Sequence, residues 1–587
     1  MMSKKIRNMT LRLLIFFILI LLLLCGFAGC RFEKLGLTDD SNKKTNTSDV
    51  SITNQSIDSK NESSFFELKG KQQNKNLLND INIRKAIFYA IDRERIAKEL
   101  LGSYGEVLNS IFQKDSAYYD PAWEMYSYNP EEAKNFLKKA GYGKDNPLYL
   151  TIGANNDSPA RKQIEEYIKE DLEKIGINIW IIDKGSKEWY IDYVKSGNYE
   201  LGIWALYTPD CKSIVNYFSS EKIPPMESDT NKNCNNFYWF KDVELDKVLK
   251  GFCNESNNTK KLELSKEVQN ILANDAIVLP LYSRIYSVAY NKKIKNIDIN
   301  TANGSFLYNI EKLDIDTGSD SSNKNINLKS LMVGYEEEPY ALNPVIPDNI
   351  YRSYITSLVV KGLWDIDKDG NYIPLLVDEI SSAGSNADIE NNIKNNLNVK
   401  IKLKNNIYWQ DGTPITSVDV ITTLEALISD ENVNNSENNY KIIKDLKIIN
   451  DREFNVVFNQ YDINWRGLFN IVFPRKNIIT KKISSLFEND LFGCGPYKLK
   501  EWVKGNYILL EKNKFYFGEK PKIDSIKFIF NSDINYLLGM IKDGSLDILS
   551  IPADLKLMED IKSNKNLGLI VKQGNLWEHL AICLKPK

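Results

Sequence analysis

Residues able to do covalent or acid–base chemistry are few in this chain, and their spacing is poor. Two of the chain's Ser-x-x-Lys strings, residues 41–44 and 321–324, have the spacing in which a lysine can activate a serine nucleophile. Both lie in Ser/Asn/Asp/Lys-rich tracts where no packed pocket could tune the lysine, so chance accounts for them. Asp367-Lys368-Asp369-Gly370 opens like a calcium loop, but Val377 and Asp378 stand where the bidentate glutamate is needed, and the string reads as a turn. His579 is the single histidine, which excludes multi-histidine zinc sites and, unless it acts alone as a base, most Ser-His or Cys-His catalysis. Cys211, Cys234, Cys253, Cys494 and Cys583 contain no Cys-x-x-Cys pair and read as small hydrophobic side chains rather than as a disulfide framework. No enzyme, metal or cofactor is expected.

The remaining chemistry is a thiol near the amino terminus. Lys4, Lys5 and Arg7 precede an apolar run, residues 11–24, broken only by Arg12, and Phe27-Ala28-Gly29 leads into Cys30. This resembles a bacterial lipoprotein signal, in which cleavage before Cys30 leaves its thiol for a diacylglyceryl anchor. The alternative is an uncleaved membrane anchor, for which the run is short. Either places the chain at the outer face of the cell membrane. Residues 1–29 are thus expected to be the signal peptide. Residues 30–68, rich in Ser, Asn, Asp and Lys, are expected to be a flexible tether.

Composition excludes more than it identifies. The chain has 587 residues, 43% hydrophobic and 26% charged, with a formal net charge of -2, which suits a globular protein of two or more domains. No basic excess points to a nucleic-acid partner. Punctuation is clear in the first half. Asn129-Pro130-Glu131-Glu132 places a cap, a first-turn proline and two acids before Ala133, Phe136, Leu137 and Ala140, with Gly141 at the left-handed cap position. A strand over 148–154, a helix opened by Ser158-Pro159 and a strand over 177–182 then read as a parallel crossover unit.

Several blocks together resemble the bacterial extracellular solute-binding proteins of the peptide-binding family, family 5. NDINIRKAIFYAIDR (79–93) is similar to that family's N-D-x-x-V-R-x-A-x-x-Y-A-I-D-R helix, YNPEEAKNFLKKAGY (128–142) to a second helix, and LEKIGI (172–177) to L-x-K-I-G-I. WQDGTPITSVDV (409–420) and GCGPYKL (493–499) resemble two more. The resemblance implies an α/β, two-lobed periplasmic-binding-protein-like fold, class II, of the large peptide-binding type with an extra subdomain. Residues 79–142 resemble the second half of such a protein and residues 331–587 the first half, so a circularly permuted order is expected. In that reading residues 69–315 are the family's C-terminal half, 316–327 a linker, and 328–587 its N-terminal half with a small subdomain at about 376–490. A truncated remnant of tandem copies is the alternative. Residues 580–587 would then be a lobe-joining strand left to pair non-covalently.

By the same resemblance, the ligand lies between lobes that close on it, held like an added strand. Glu338, Pro339 and Tyr340 match one ligand-facing edge, Ile203, Trp204 and Ala205 the other, and Tyr282 lies in the return strand. Tyr207 stands where peptide binders place an aspartate against the ligand's α-ammonium, which points to a blocked peptide, a neutral solute, or an amine paired with another acid such as Glu338. The implied function is a lipid-anchored receptor that delivers an oligopeptide or related solute to the permease of an ABC importer. A ligand sensor without transport, or a degenerate surface binding protein, is the alternative.

Overall fold

The computed structural model describes residues 62–586 except 73–76, 226–233, 256, 302–303, 317–328, 347–349, 368–371, 383–396, 435–439, 460–464, 480 and 487–490. The signal sequence, Cys30, most of the tether, the Ser-x-x-Lys strings at 41–44 and 321–324, most of the Asp367–Gly370 string and all of the linker but Asp316 lie outside the described residues. The chain divides into two compact units, Met1–Ser64 and Phe65–Lys587, and every strand belongs to the second.

The fold is mixed α/β. In chain order its strands are β1 (Leu148–Asn155), β2 (Ile177–Lys184), β3 (Leu201–Tyr207), β4 (Val278–Asn291), β5 (Ile294–Lys295), β6 (Asp314–Ile315), β7 (Ser330–Tyr335), β8 (Trp364–Ile366) and β9 (Tyr372–Pro374). Next in the chain come β10 (Val377–Ser382), β11 (Asn398–Leu403), β12 (Ile443–Asn450), β13 (Glu453–Phe458), β14 (Tyr497–Val503), β15 (Tyr507–Lys512), β16 (Ser525–Phe530), β17 (Ile548–Ile551) and β18 (Leu567–Ile582). Ten of them form one sheet in the order β14-β15-β16-β7-β17-β4-β18-β3-β1-β2, and β10-β11-β13-β12 form a separate four-stranded sheet.

Two hydrophobic cores share the large sheet. One gathers residues between Leu78 and Ala289 together with Leu537–Cys583 side chains such as Trp577 and Leu580; the other runs from Val288 to Ile548 and includes Trp364, Trp409, Phe454 and Phe528. The long strands β4 and β18 pair antiparallel with each other and serve both. Because successive side chains on a strand point to opposite faces, Ile285, Ala289 and Leu569 enter the first core while Tyr286, Val288 and Ile570 join the second. This is how the sequence makes two lobes joined by a pair of strands.

The sequence blocks turn out to be built of caps and anchors. In NDINIRKAIFYAIDR, Asp80 caps the Ile81–Ala90 helix and Asp92 caps the Arg93–Leu101 helix, each accepting from a backbone N–H. Arg84 donates to the Leu78, Asn79 and Asp275 carbonyls. Arg93 donates to the carbonyls of Leu108, Pro280, Trp123 and Tyr126, and burial pulls its guanidinium down to about 10. Asn129 caps the Pro130–Lys139 helix and Gly141 sits at φ +87°, as its position after a helix requires. The 148–182 stretch forms β1, the Pro159–Glu173 helix and β2, with β1 and β2 parallel. In GCGPYKL, a Cβ on Gly493 would lie 2.0 Å from the Val359 carbonyl oxygen, so only glycine admits that approach.

The end of β18 is fully paired. Leu580 faces Ile203 of β3 on one side and Leu279 of β4 on the other, and beyond them Ile582 N–H donates to Ile277 O. Arg84, from the helix that opens the 79–93 block, donates to Asp275 O, two residues away from that contact.

Candidate functional site

β3 leaves its neighbour early. It pairs with β1 only at Leu201 and Gly202, while β1 continues along β2 to Asn155. From Ile203 to Leu206, among the described residues, the ladder of β3 runs on its β18 side, where Ala205 faces Glu578. Over Ile203–Leu206 the other side of β3 is a short strand edge that the β1 ladder leaves open, with the Ile203 and Leu206 side chains buried.

A buried charge cluster crosses this gap. Glu578, 1% exposed, accepts from Arg161 Nε and Nη2 at 3.1 Å each, and from Arg284 Nε at 2.7 Å as well as from Arg284 Nη2. Arg161 comes from the first turn of the Pro159–Glu173 helix, where Ser158 caps and Pro159 starts the helix, and its Nη1 also donates to Asn155 Oδ1 at the end of β1. In the sheet β3 lies between β1 and β18, and Ala205 is the β3 residue opposite Glu578. Two guanidinia on one carboxylate leave the cluster with a net positive charge.

Tyrosines continue the same face toward the second core. Tyr282, Arg284 and Tyr286 alternate along β4 and share the face of Glu578. Burial raises the Tyr282 and Tyr286 hydroxyls, and Tyr207 adds to the effect at Tyr286. Tyr354, on the Ile350–Thr356 helix of the other core, is raised by burial and then by Tyr286. Close approach makes room for this ring: a Cβ on Gly304 (φ +78°) or Gly574 would collide with Tyr286. The face thus runs from Arg161 through Glu578 and Arg284 to Tyr286, which packs against the second core.

The sequence-derived site residues divide in two. Ile203, Trp204, Ala205, Tyr207 and Tyr282 all lie on β3 and β4 at this place. Ile203 and Tyr282 are buried, whereas Tyr207 is 39% exposed. Trp204 points to the opposite face, its ring edge-on to buried His579 at 4.9 Å. Glu338, Pro339 and Tyr340 lie after β7. There the Glu338 carboxylate accepts from Trp502 Nε1 (2.7 Å) and Gly505 N (2.8 Å), which pins it to the β14–β15 hairpin. Pro339 is buried, and Tyr340, 88% exposed, accepts at its carbonyl from Lys504 Nζ. Sequence reading missed Arg161, Arg284 and Glu578. The readable signal was Glu578 itself, a lone acid inside the apolar stretch LWEHLAICL (576–584). Among the described residues no group of His, Cys, Asp and Glu could hold a metal ion.

The model of the bacterial extracellular solute-binding proteins, family 5, matches residues 35–223 and 374–585, more than half of the chain. The chain belongs to this family. The oligopeptide-binding protein AppA of Bacillus subtilis (strain 168) is similar at 24% identity over 266 residues, 42% of this chain and 47% of that protein. The dipeptide-binding protein DppE of the same organism is 23% identical over 289 residues, 46% of this chain and 51% of that one. The solved structure of B. subtilis AppA in complex with a nonapeptide aligns at 21% identity with a TM-score of 0.35, covering 41% of this chain and 47% of that one. The chain therefore spans about half the length of the relatives it matches. Members of the family bind solutes outside the cell. Among the described residues no helix is long and apolar enough to cross a membrane.

Proposed function

We propose that this family member is a lipid-anchored extracellular receptor that binds an oligopeptide or related solute between its lobes and presents it to an ABC importer. The observation that carries the reading is the edge of β3 over Ile203–Leu206 that the β1 ladder leaves open, next to a polar face along β4 and β18. An extended ligand adds to that edge through backbone hydrogen bonds, and contact with residues of both lobes favours the closed form. The names of similar proteins, an oligopeptide-binding and a dipeptide-binding protein, support the peptide class. Thiol modification at Cys30 would supply the anchor; loss of membrane association and of the lipid mass in a Cys30→Ser variant tests it. Small-angle scattering and thermal shift with pools of tri- to pentapeptides test solute binding. Compaction with stabilisation is expected, and neither would occur if the cleft does not take peptides.

We further propose that the two halves stand in circularly permuted order. The pairing of β18 at its end and the shared docking of Ile582 and Arg84 on residues 275–277 support it. Moving residues 69–315 to the position after residue 586, through a short Gly/Ser linker, should give a folded protein of similar stability. A rearranged chain that does not fold would count against this order.

A further inference from the structure

Cys211 is the first residue of the Cys211–Phe218 helix, and Cys253 stands one residue before the end of the Val243–Asn254 helix. The two helices pack on each other. Just past the end of the first, Ser219 Oγ and Ser220 N–H donate to Asp246 Oδ1 of the second at 3.2 and 2.8 Å. The pair therefore runs antiparallel, and the start of one helix comes beside the end of the other. There the two thiols are in hydrogen-bond contact, Cys253 donating to Cys211. Around them stand Tyr118, edge-on to Phe252 at 5.1 Å, and buried Lys261, whose ammonium lies over the same Phe252 ring at 5.9 Å. The Cys253 contact, joined by Lys261, holds the Cys211 thiol below the usual thiol range in spite of its burial, which favours the thiolate that attacks disulfides. Cys211 is 3% exposed, whereas Cys253 is only partly buried, so an incoming reagent reaches Cys253 first. Both are free thiols.

We propose that Cys211 and Cys253 are a redox modification site, closed into a disulfide by exchange with a disulfide donor. In the first step the Cys253 thiolate attacks the donor's S–S bond, which forms a mixed disulfide and releases one donor thiol. In the second the Cys211 thiolate attacks the Cys253 sulfur and releases the other donor thiol. The two cysteines thus lose two electrons and two protons, and the donor gains them. The sulfurs move from hydrogen-bond contact to a bond of about 2.05 Å, a change within reach of side-chain rotation at two helix ends. Members of the family act outside the cell, where no thiol pool of the kind that keeps intracellular cysteines reduced opposes the step. The bond ties the Cys211–Phe218 helix, and with it residues 208–210 after β3, to the Val243–Asn254 helix.

The test treats the full chain with glutathione disulfide at mildly alkaline pH, quenches with acid, then alkylates under denaturing conditions and maps the peptides by mass spectrometry. The expected result is a peptide pair joined through Cys211 and Cys253, the loss of these two thiols from alkylation, and the return of both after dithiothreitol. The same treatment in urea should instead give a mixture of links that includes Cys234, because the fold no longer selects the pair. A Cys211→Ser variant should hold glutathione on Cys253, since nothing displaces it, and in Cys253→Ser the buried Cys211 should remain alkylatable. The wild-type map decides by itself if either variant does not fold. Cys211 and Cys253 both still alkylated after treatment, glutathione retained on wild-type Cys253 without transfer to Cys211, a dominant link to Cys234, or a native pattern no different from that in urea would each overturn the site.

Discussion

Glu578→Gln removes the only negative charge from a cluster that then holds two guanidinia, and its cost can be worked from the structure. Each contact is close to 3 Å, and at an effective dielectric of 20 a unit-charge pair at that distance is worth about 5 kcal/mol before desolvation is subtracted. Breaking one side of a buried ion pair costs about 3–5 kcal/mol, because the partner charge is left buried. Arg161 is the more buried partner, and glutamine keeps one acceptor for it, so a loss of about 3 kcal/mol is expected. Urea unfolding at neutral pH monitored by tryptophan fluorescence reads the loss, and repeating it at high salt separates buried from surface charge. A buried cluster keeps most of the difference under salt, whereas an exposed pair would lose it. In the double variant with Arg161→Gln the losses should be well below additive, since each residue acts through the other. A loss below about 1 kcal/mol, or strict additivity, would refute the claim that the cluster is buried and coupled.

Three other side chains give checkable outcomes. Glu165, 4% exposed on the Pro159–Glu173 helix, is raised from 4.5 to about 8, first by burial and then by Asp183. The folded state therefore binds the proton more tightly than the unfolded one, and stability present below pH 4.5 falls as pH rises toward 8. Glu165→Gln should gain about 3 kcal/mol over wild type at pH 7 and nothing at pH 4, and a pH-independent difference in urea midpoints would contradict this. His579 runs the other way. Burial, then Arg161, lowers it from 6.5 to about 3, so stability present above pH 6.5 is lost as pH falls toward 3. That loss amounts to about 3 kcal/mol by pH 4.5, and a stability difference between wild type and a His579→Gln variant that stays the same from pH 7 to pH 4.5 would refute it. Ala205→Leu, which enlarges the β3 residue opposite Glu578, should weaken both stability and solute affinity by about tenfold or more in equilibrium constant, as overpacking at about 1–3 kcal/mol implies. Unchanged calorimetry would show that the place opposite Glu578 tolerates the larger side chain.

Much of the fold was legible because its punctuation is local. Asn129-Pro130, Ser158-Pro159 and Gly141 each act within one turn, and the elements they bound, the Pro130–Lys139 and Pro159–Glu173 helices and strands β1 and β2, lie where the spacing put them. The resemblance blocks were legible for a related reason: Asp80, Arg84, Asp92 and Arg93 are caps and carbonyl anchors whose roles fix their spacing. The charge cluster was not legible. Arg161 and Glu578 are 417 residues apart in sequence, and only the departure of β1 from β3 after Gly202 brings them together. Nor does a strand pattern tell which acid a fold will spend. Glu338 looked like a ligand-facing acid, yet its oxygens are taken by Trp502 and Gly505 of a hairpin more than 160 residues away.

A receptor whose two lobes close on an extended ligand should retain that ligand through gentle purification, and native mass spectrometry of the intact protein reads its presence. The expected finding is a bound oligopeptide or related solute that is released on denaturation, and whose re-addition raises the thermal midpoint. A protein that carries no solute, and gains no stability from the released fraction or from peptide pools, would contradict the receptor role.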